Sequence, residues 1–216
     1  MFQRIITAIL LLAIIVGAIQ LFQAKAAHSE VKQEFDRLVA KVGRLEITDP
    51  KKFHVIPIET GDPFHFAWRI HTPEGLSIHR RTEFFHGGYS SGTSSVRPAS
   101  EAIHRARFRF DGDQIMVFVK SGSGSSTKGY GNKTFSKFLQ EHVEELIVHS
   151  LADDGTMVFD TDQVLTTLKI EIPEHLQAEA RLAWKKRDKS KTPLPPLILT
   201  QMGTKEAFAA AEEKKK

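Results

Sequence analysis

The sequence predicts an α+β fold: an N-terminal transmembrane helix continuing into a short amphipathic heptad helix, then an antiparallel sheet with helices packed on one face. Three observations predict it. Residues 5–22, IITAILLLAIIVGAIQLF, hold no charged side chain. Several segments between residues 53 and 120 alternate apolar and polar positions, the period of a half-buried strand. Later segments space apolar residues three and four apart, the period of a helix lying on a sheet. Four regions follow: a signal anchor over residues 1–26, the heptad helix over 27–48, an α+β domain over 49–188, and a flexible tail rich in proline and lysine over 189–216.

The uncharged run sets the expected location. A helix of that length reaches about 27 Å, close to the hydrocarbon thickness of a bilayer. Ala24-Lys25-Ala26 fits a cleavage site, so the alternative is a secreted protein cut near Ala26. The run is longer than an ordinary signal-peptide core, which favours a retained single-pass anchor. The short N-terminal flank carrying Arg4 favours a C-terminal domain outside the cytoplasm, against the opposing pull of Lys25, Lys32, Arg37 and Lys41.

Beyond the anchor, Val31, Phe35, Leu38, Val42 and Leu45 follow a heptad spacing. Two heptads do not hold a coiled coil alone. Tethered to a membrane helix they form a candidate homodimer seam; the alternative is that the stripe packs on the chain's own domain.

The strands come next. Residues 53–59 are apolar but contain Pro57, which predicts an edge strand. In 64–72, Phe64, Phe66, Trp68 and Ile70 share one face, and His65, Arg69 and His71 the other. Pro73-Glu74-Gly75 is read as a hairpin turn into 76–85, placing Ile70 opposite Ile78 and Arg69 opposite His79. Residues 86–100 and 121–131, rich in glycine and serine, are read as loops. Between them, 103–110 and 114–120 form a hairpin across Asp111-Gly112. Phe108 and Phe110 share a face with Ile115, Val117 and Val119; Arg105, Arg107 and Arg109 share the other with Met116 and Phe118. A helix carries the stripe Phe135, Phe138, Leu139, Val143, Leu146 and Ile147, residues 164–172 read as a strand, and 174–187 as a helix.

Composition excludes some chemistry. With no cysteine there are no disulfides, thiol nucleophiles or cysteine-ligated metals. A net charge of +4 is too small to argue for nucleic acid, a partner that export would also disfavour. Gly88-Tyr89-Ser90-Ser91-Gly92 matches the nucleophile motif of many hydrolases, but the following residues, through Pro98, do not read as the helix that such a turn needs. His65, His71 and His79 suggest metal ligands, but Arg69 and Arg81 on the same predicted face repel a cation, so no metal or cofactor is expected.

The leading expectation is therefore a membrane-anchored envelope protein, a non-enzymatic scaffold or interaction module, contacting the membrane through residues 5–22 and a second copy or an envelope partner through the seam. The alternative is a module that binds an anionic ligand, such as a lipid headgroup, acidic glycan or phosphate. Its surface would be one sheet face carrying Arg69, Arg81, Arg105, Arg107, Arg109, His65, His71 and His79. A serine hydrolase built on Ser90 is the remote alternative.

Overall fold

Period-two alternation builds most of the molecule. The computed structural model describes residues 17, 20, 21, 25, 32, 43–85, 89–95, 98–122, 124–151, 155–184 and 194–214. The chain divides into two units, Met1–Arg44 and Leu45–Lys216. In the first, the described residues Gly17, Gln20, Leu21, Lys25 and Lys32 are helical. The expected membrane span and the seam positions Val31, Phe35, Leu38 and Val42 lie outside the described residues. Among the described residues, no helix is long and apolar enough to cross a membrane. The heptad helix does not extend to residue 48 as expected. Gly43 has a φ of +76°, and residues 43–47 belong to no helix. Leu45 is buried in the second unit.

That second unit is an α+β fold with two antiparallel sheets where the sequence suggested one. Its strands are β1 (Phe53–Ile58), β2 (His65–Thr72), β3 (Ser77–Phe84), β4 (Tyr89–Ser95), β5 (Ser100–Asp111), β6 (Gln114–Ser121), β7 (Gly124–Tyr130), β8 (Ile147–Ser150), β9 (Met157–Phe159), β10 (Leu165–Glu171) and β11 (Ile198–Thr204). Sheet A has the order β7-β6-β5-β2-β1-β9, and sheet B the order β4-β3-β11-β10-β8. One apolar core serves both. Val55, Trp68, Ile70, Phe108 and Val117 enter it from sheet A; Ile78, Leu168, Ile170, Ile198 and Met202 enter it from sheet B.

The β5–β6 hairpin forms as its sequence suggests. Gly112 takes a φ of +57°, which the Asp-Gly turn requires, and Phe108 pairs with Val117, Phe110 with Ile115 and Arg107 with Phe118. The β2–β3 hairpin does not form. β2 pairs with β1 and β5, whereas β3 pairs with β4 and β11. Ile70 and Ile78 are both fully buried, but from different sheets. The turn at Gly75, φ +78°, thus carries the chain from one sheet to the other. Pro57 sits where β1 has lost its second neighbour, because β9 pairs only with Phe53–Val55.

Both glycine- and serine-rich segments expected as loops contain strands, and both of those strands are sheet edges: β4 in sheet B and β7 in sheet A. The expected C-terminal tail is also corrected. β11 lies between β3 and β10, in the middle of sheet B, and helix α3 (Lys205–Glu213) follows it, capped by Thr204 accepting from the Ala207 N–H at 3.1 Å.

Two helices close the core. Helix α1 (Lys133–Glu141) begins where the Asn132 side chain accepts from the Phe135 N–H at 3.0 Å. It ends earlier than its stripe suggested: Val143 falls in a 3₁₀ turn and Ile147 starts β8. Helix α2 (Gln177–Trp184) packs beside it. Phe135 stacks on Phe85 at 4.9 Å and meets Trp184 edge-on at 5.0 Å. Such aromatic pairs add about 0.5–1.5 kcal/mol beyond area burial.

Candidate functional site

Strand alternation sends two kinds of side chain inward along β3. Ile78 and Phe84 fill the core; Arg80 and Thr82, on the same face, do not. Opposite them on β4 stand Ser94, Gly92 and Ser90, paired with Ile78, Arg80 and Thr82. Sheet A faces this patch with His104 and Ala106 of β5, Val119 of β6 and Ser126 of β7. The side chains of β4 and β7 here are hydrogens and hydroxymethyl groups, too small to meet across the gap. A cleft of about 550 Å³ remains between the sheets. That lies within the roughly 300–1,000 Å³ usual for small-molecule sites.

Its lining is of two kinds. Trp68, Phe84, Ala106, Val119 and Met202 give it an apolar floor, continuous with the core. Thr82, Ser90, Ser94, Ser100, Thr167 and Thr200 give it hydroxyl walls. Some hydroxyls are already engaged: Thr167 Oγ1 lies 2.6 Å from Thr200 Oγ1 and donates to the Thr200 carbonyl at 3.2 Å. No aspartate or glutamate borders the cleft among the described residues. Arg105 and Lys120 border it, but alternation points their side chains to the outer face of sheet A. Among the described residues that border the cleft, Arg80 is the one charged side chain that alternation aims inward.

Arg80 is poorly provided for. Its Nη1 donates to Ser94 Oγ at 2.9 Å. Its Nε is buried and has no hydrogen-bond partner among the described residues. Burial lowers the guanidinium's pKa, and no described carboxylate offsets that cost. Nearby His104 is buried, and desolvation, followed by the charge of Arg80, holds its pKa down to about 3. It is neutral at pH 7, with one ring nitrogen to donate and one to accept.

The arginines and histidines singled out in the sequence point away from the cleft, Arg105 only bordering it, and are divided between the sheets. His65, Arg69, His71, Arg105, Arg107 and Arg109 occupy the outer face of sheet A, while His79 and Arg81 occupy the outer face of sheet B. They do not form one cationic surface, because β2 and β3 are in different sheets. Several also have partners. Arg81 meets Glu83 at 2.9 Å and Glu212 at 3.1 Å, Arg107 meets Asp62 at 3.2 Å, and Arg109 meets Asp111 at 3.3 Å. His79 Nδ1 lies 3.1 Å from Thr93 Oγ1. His65 is held below its usual pKa by burial and then by Arg107 and Arg105, so it is hard to charge.

His71 is buried edge-on against His54 at 5.6 Å. His54 ties down the chain that leads into β1. Its Nε2 accepts from the N–H groups of Thr48 and Asp49, and its Nδ1 donates to the Lys52 carbonyl. Among the described residues, no three histidine or carboxylate side chains come together to hold a metal ion. Ser90 lies within β4, opposite Thr82, and not at a strand-to-helix turn.

Arg80 and His104 escaped the sequence reading, although a signal was there. Arg80 occupies the same strand face as Ile78, Thr82 and Phe84, and His104 the same face as Ala106 and Phe108. A charged or titratable residue at a core parity is costly without a partner, and that cost marks it for attention. No known protein family, curated protein or solved structure matches this chain, so the geometry of the cleft carries the functional reading alone.

Proposed function

We propose that residues 45–216 form a non-enzymatic binding module that takes a small amphipathic molecule between its two sheets. The observation that carries this is the 550 Å³ cleft with an apolar floor and hydroxyl walls. Such a lining suits a ligand with one greasy part and one polar part. A hydrolytic reading lacks support: Ser90 is the second residue of β4 and is followed by strand, not helix, and a histidine with a pKa near 3 is a weak base at neutral pH. The uncharged run over residues 5–22 favours a membrane-anchored setting for this module, outside the cytoplasm. The heptad pattern of residues 31–42 supports self-association as an accompaniment to binding.

The test uses N-phenyl-1-naphthylamine, a neutral fluorophore that brightens in apolar surroundings, with the full-length protein. Saturable enhancement is expected. Gly92 faces the cleft with open space beyond where a Cβ would stand, so Gly92→Trp fills the cavity without backbone strain. This variant is expected to keep its melting temperature and to lose the enhancement. Equal enhancement in both proteins would sink the proposal.

A further inference from the structure

The polar end of the ligand can be named from the polar groups of the cleft; this step rests on the binding function proposed above. We infer that the cleft takes a monocarboxylic acid with an apolar tail, its carboxylate against Arg80 and its tail over Trp68, Phe84 and Met202.

Charge comes first. A guanidinium partly withdrawn from water without a counter-ion carries a standing cost, and proteins generally pair such groups. This protein pairs Arg81, Arg107 and Arg109 at its surface, with carboxylates at 2.9 to 3.3 Å. Among the described residues, it leaves Arg80 with one serine hydroxyl and its Nε–H without an acceptor. The missing partner is therefore an anion, and the cleft that Arg80 lines is the space open to one.

Geometry and stoichiometry narrow the choice. Nη1 is already committed to Ser94. The guanidinium edge that carries Nε and Nη2 is one to which a planar carboxylate binds with two parallel hydrogen bonds. One cation aimed into the cleft matches one negative charge. A phosphate dianion would need a second cation, and the neighbouring His104 stays neutral at pH 7 because it is buried beside Arg80. The floor then specifies the rest of the molecule. Trp68, Phe84 and Met202 offer no polar group for a polar tail to pair with, apart from the indole N–H, which is engaged with the Leu151 carbonyl at 2.9 Å.

The experiment is displacement of N-phenyl-1-naphthylamine from the full-length protein by octanoate, 1-octanol, octylamine and octyl phosphate. Octanoate is expected to compete at least about tenfold better than octanol, the scale of one charge-assisted contact. Octylamine is expected to compete worst. Arg80→Gln should abolish the gap between octanoate and octanol while neutral probe binding persists. Arg80→Lys, which keeps the charge but loses the fork, should narrow it.

Several results would overturn the inference. Equal displacement by octanoate and octanol would remove the carboxylate contact and leave the cleft as a binding site standing. Octyl phosphate outcompeting octanoate would overturn the choice of acid. An unchanged gap in Arg80→Lys would remove the forked contact. No probe binding in the wild-type protein would overturn the binding function itself, and this inference with it.

Discussion

The outer faces and the interior cleft treat arginine in opposite ways. Arg81, Arg107 and Arg109 are 40 to 57% exposed, and each has a carboxylate within 3.3 Å. Arg80, whose Nε is sealed from water, has none among the described residues. Pairing is thus most complete where it contributes least, since exposed ion pairs are worth about 0–1 kcal/mol. It is missing where an isolated charge costs most. The contrast teaches that the chain neutralises these three exposed arginines with its own carboxylates, while the cleft arginine has no described carboxylate and is where we propose that a ligand binds.

Three predictions test that contrast, the largest first. The cleft floor is also core, so floor and walls should respond differently to substitution. Trp68 is 2% exposed and donates to Leu151, and Trp68→Ala should cost about 3–5 kcal/mol, read from urea unfolding. A loss below about 1 kcal/mol would mean the floor is not part of the core.

Acid gives the second. His104 has a pKa of about 3 when folded, against 6.5 in the unfolded chain. Below pH 6.5 the unfolded state takes up a proton that the folded state does not, so stability falls with falling pH. This group alone should remove about 2 kcal/mol between pH 6.5 and 5, with further loss down to the folded pKa. His104→Gln should flatten that part of the profile; identical slopes in the two proteins would contradict the burial argument.

The third effect is smallest and addresses the contrast itself. Without ligand, Arg80→Met removes an unpaired charge and should raise stability by about 1 kcal/mol, or roughly 2–4 °C in Tm. Arg107→Met and Arg109→Met should stay within about 0.5 kcal/mol of wild type. If Arg80→Met melts lower than the two surface variants, Arg80 has an internal partner after all.

How much could be read from the sequence depended on distance along the chain. The β5–β6 hairpin was legible because its turn, Asp111-Gly112, and its alternation are local. The faces of β2 were legible for the same reason. The partner of β3 was not: a three-residue turn with glycine suggested β2, but β3 is flanked by β4 and by β11, more than a hundred residues away. Composition misled at β4 and β7, where glycine and serine suggested loops. Those residues form edge strands whose small side chains at Ser90, Gly92, Ser94, Gly124 and Ser126 leave the cleft open. The same error hid the candidate site, since Arg80 becomes conspicuous only once β4 and sheet A are placed around it.

The position of β11 has a consequence for how the protein is made. β3 ends at Phe84 and its inner neighbour begins at Ile198, so about 113 residues must be synthesised before the two can pair. At about 5–20 residues per second, Ile78 and Phe84 wait roughly 6–23 s for the strand that pairs with theirs. Through that interval β3 presents an unpaired edge and apolar side chains, a template for any other extended chain nearby. Sheet B therefore forms late in translation or after it, and a nascent chain that stalls before residue 198 is a substrate for chaperones and proteases.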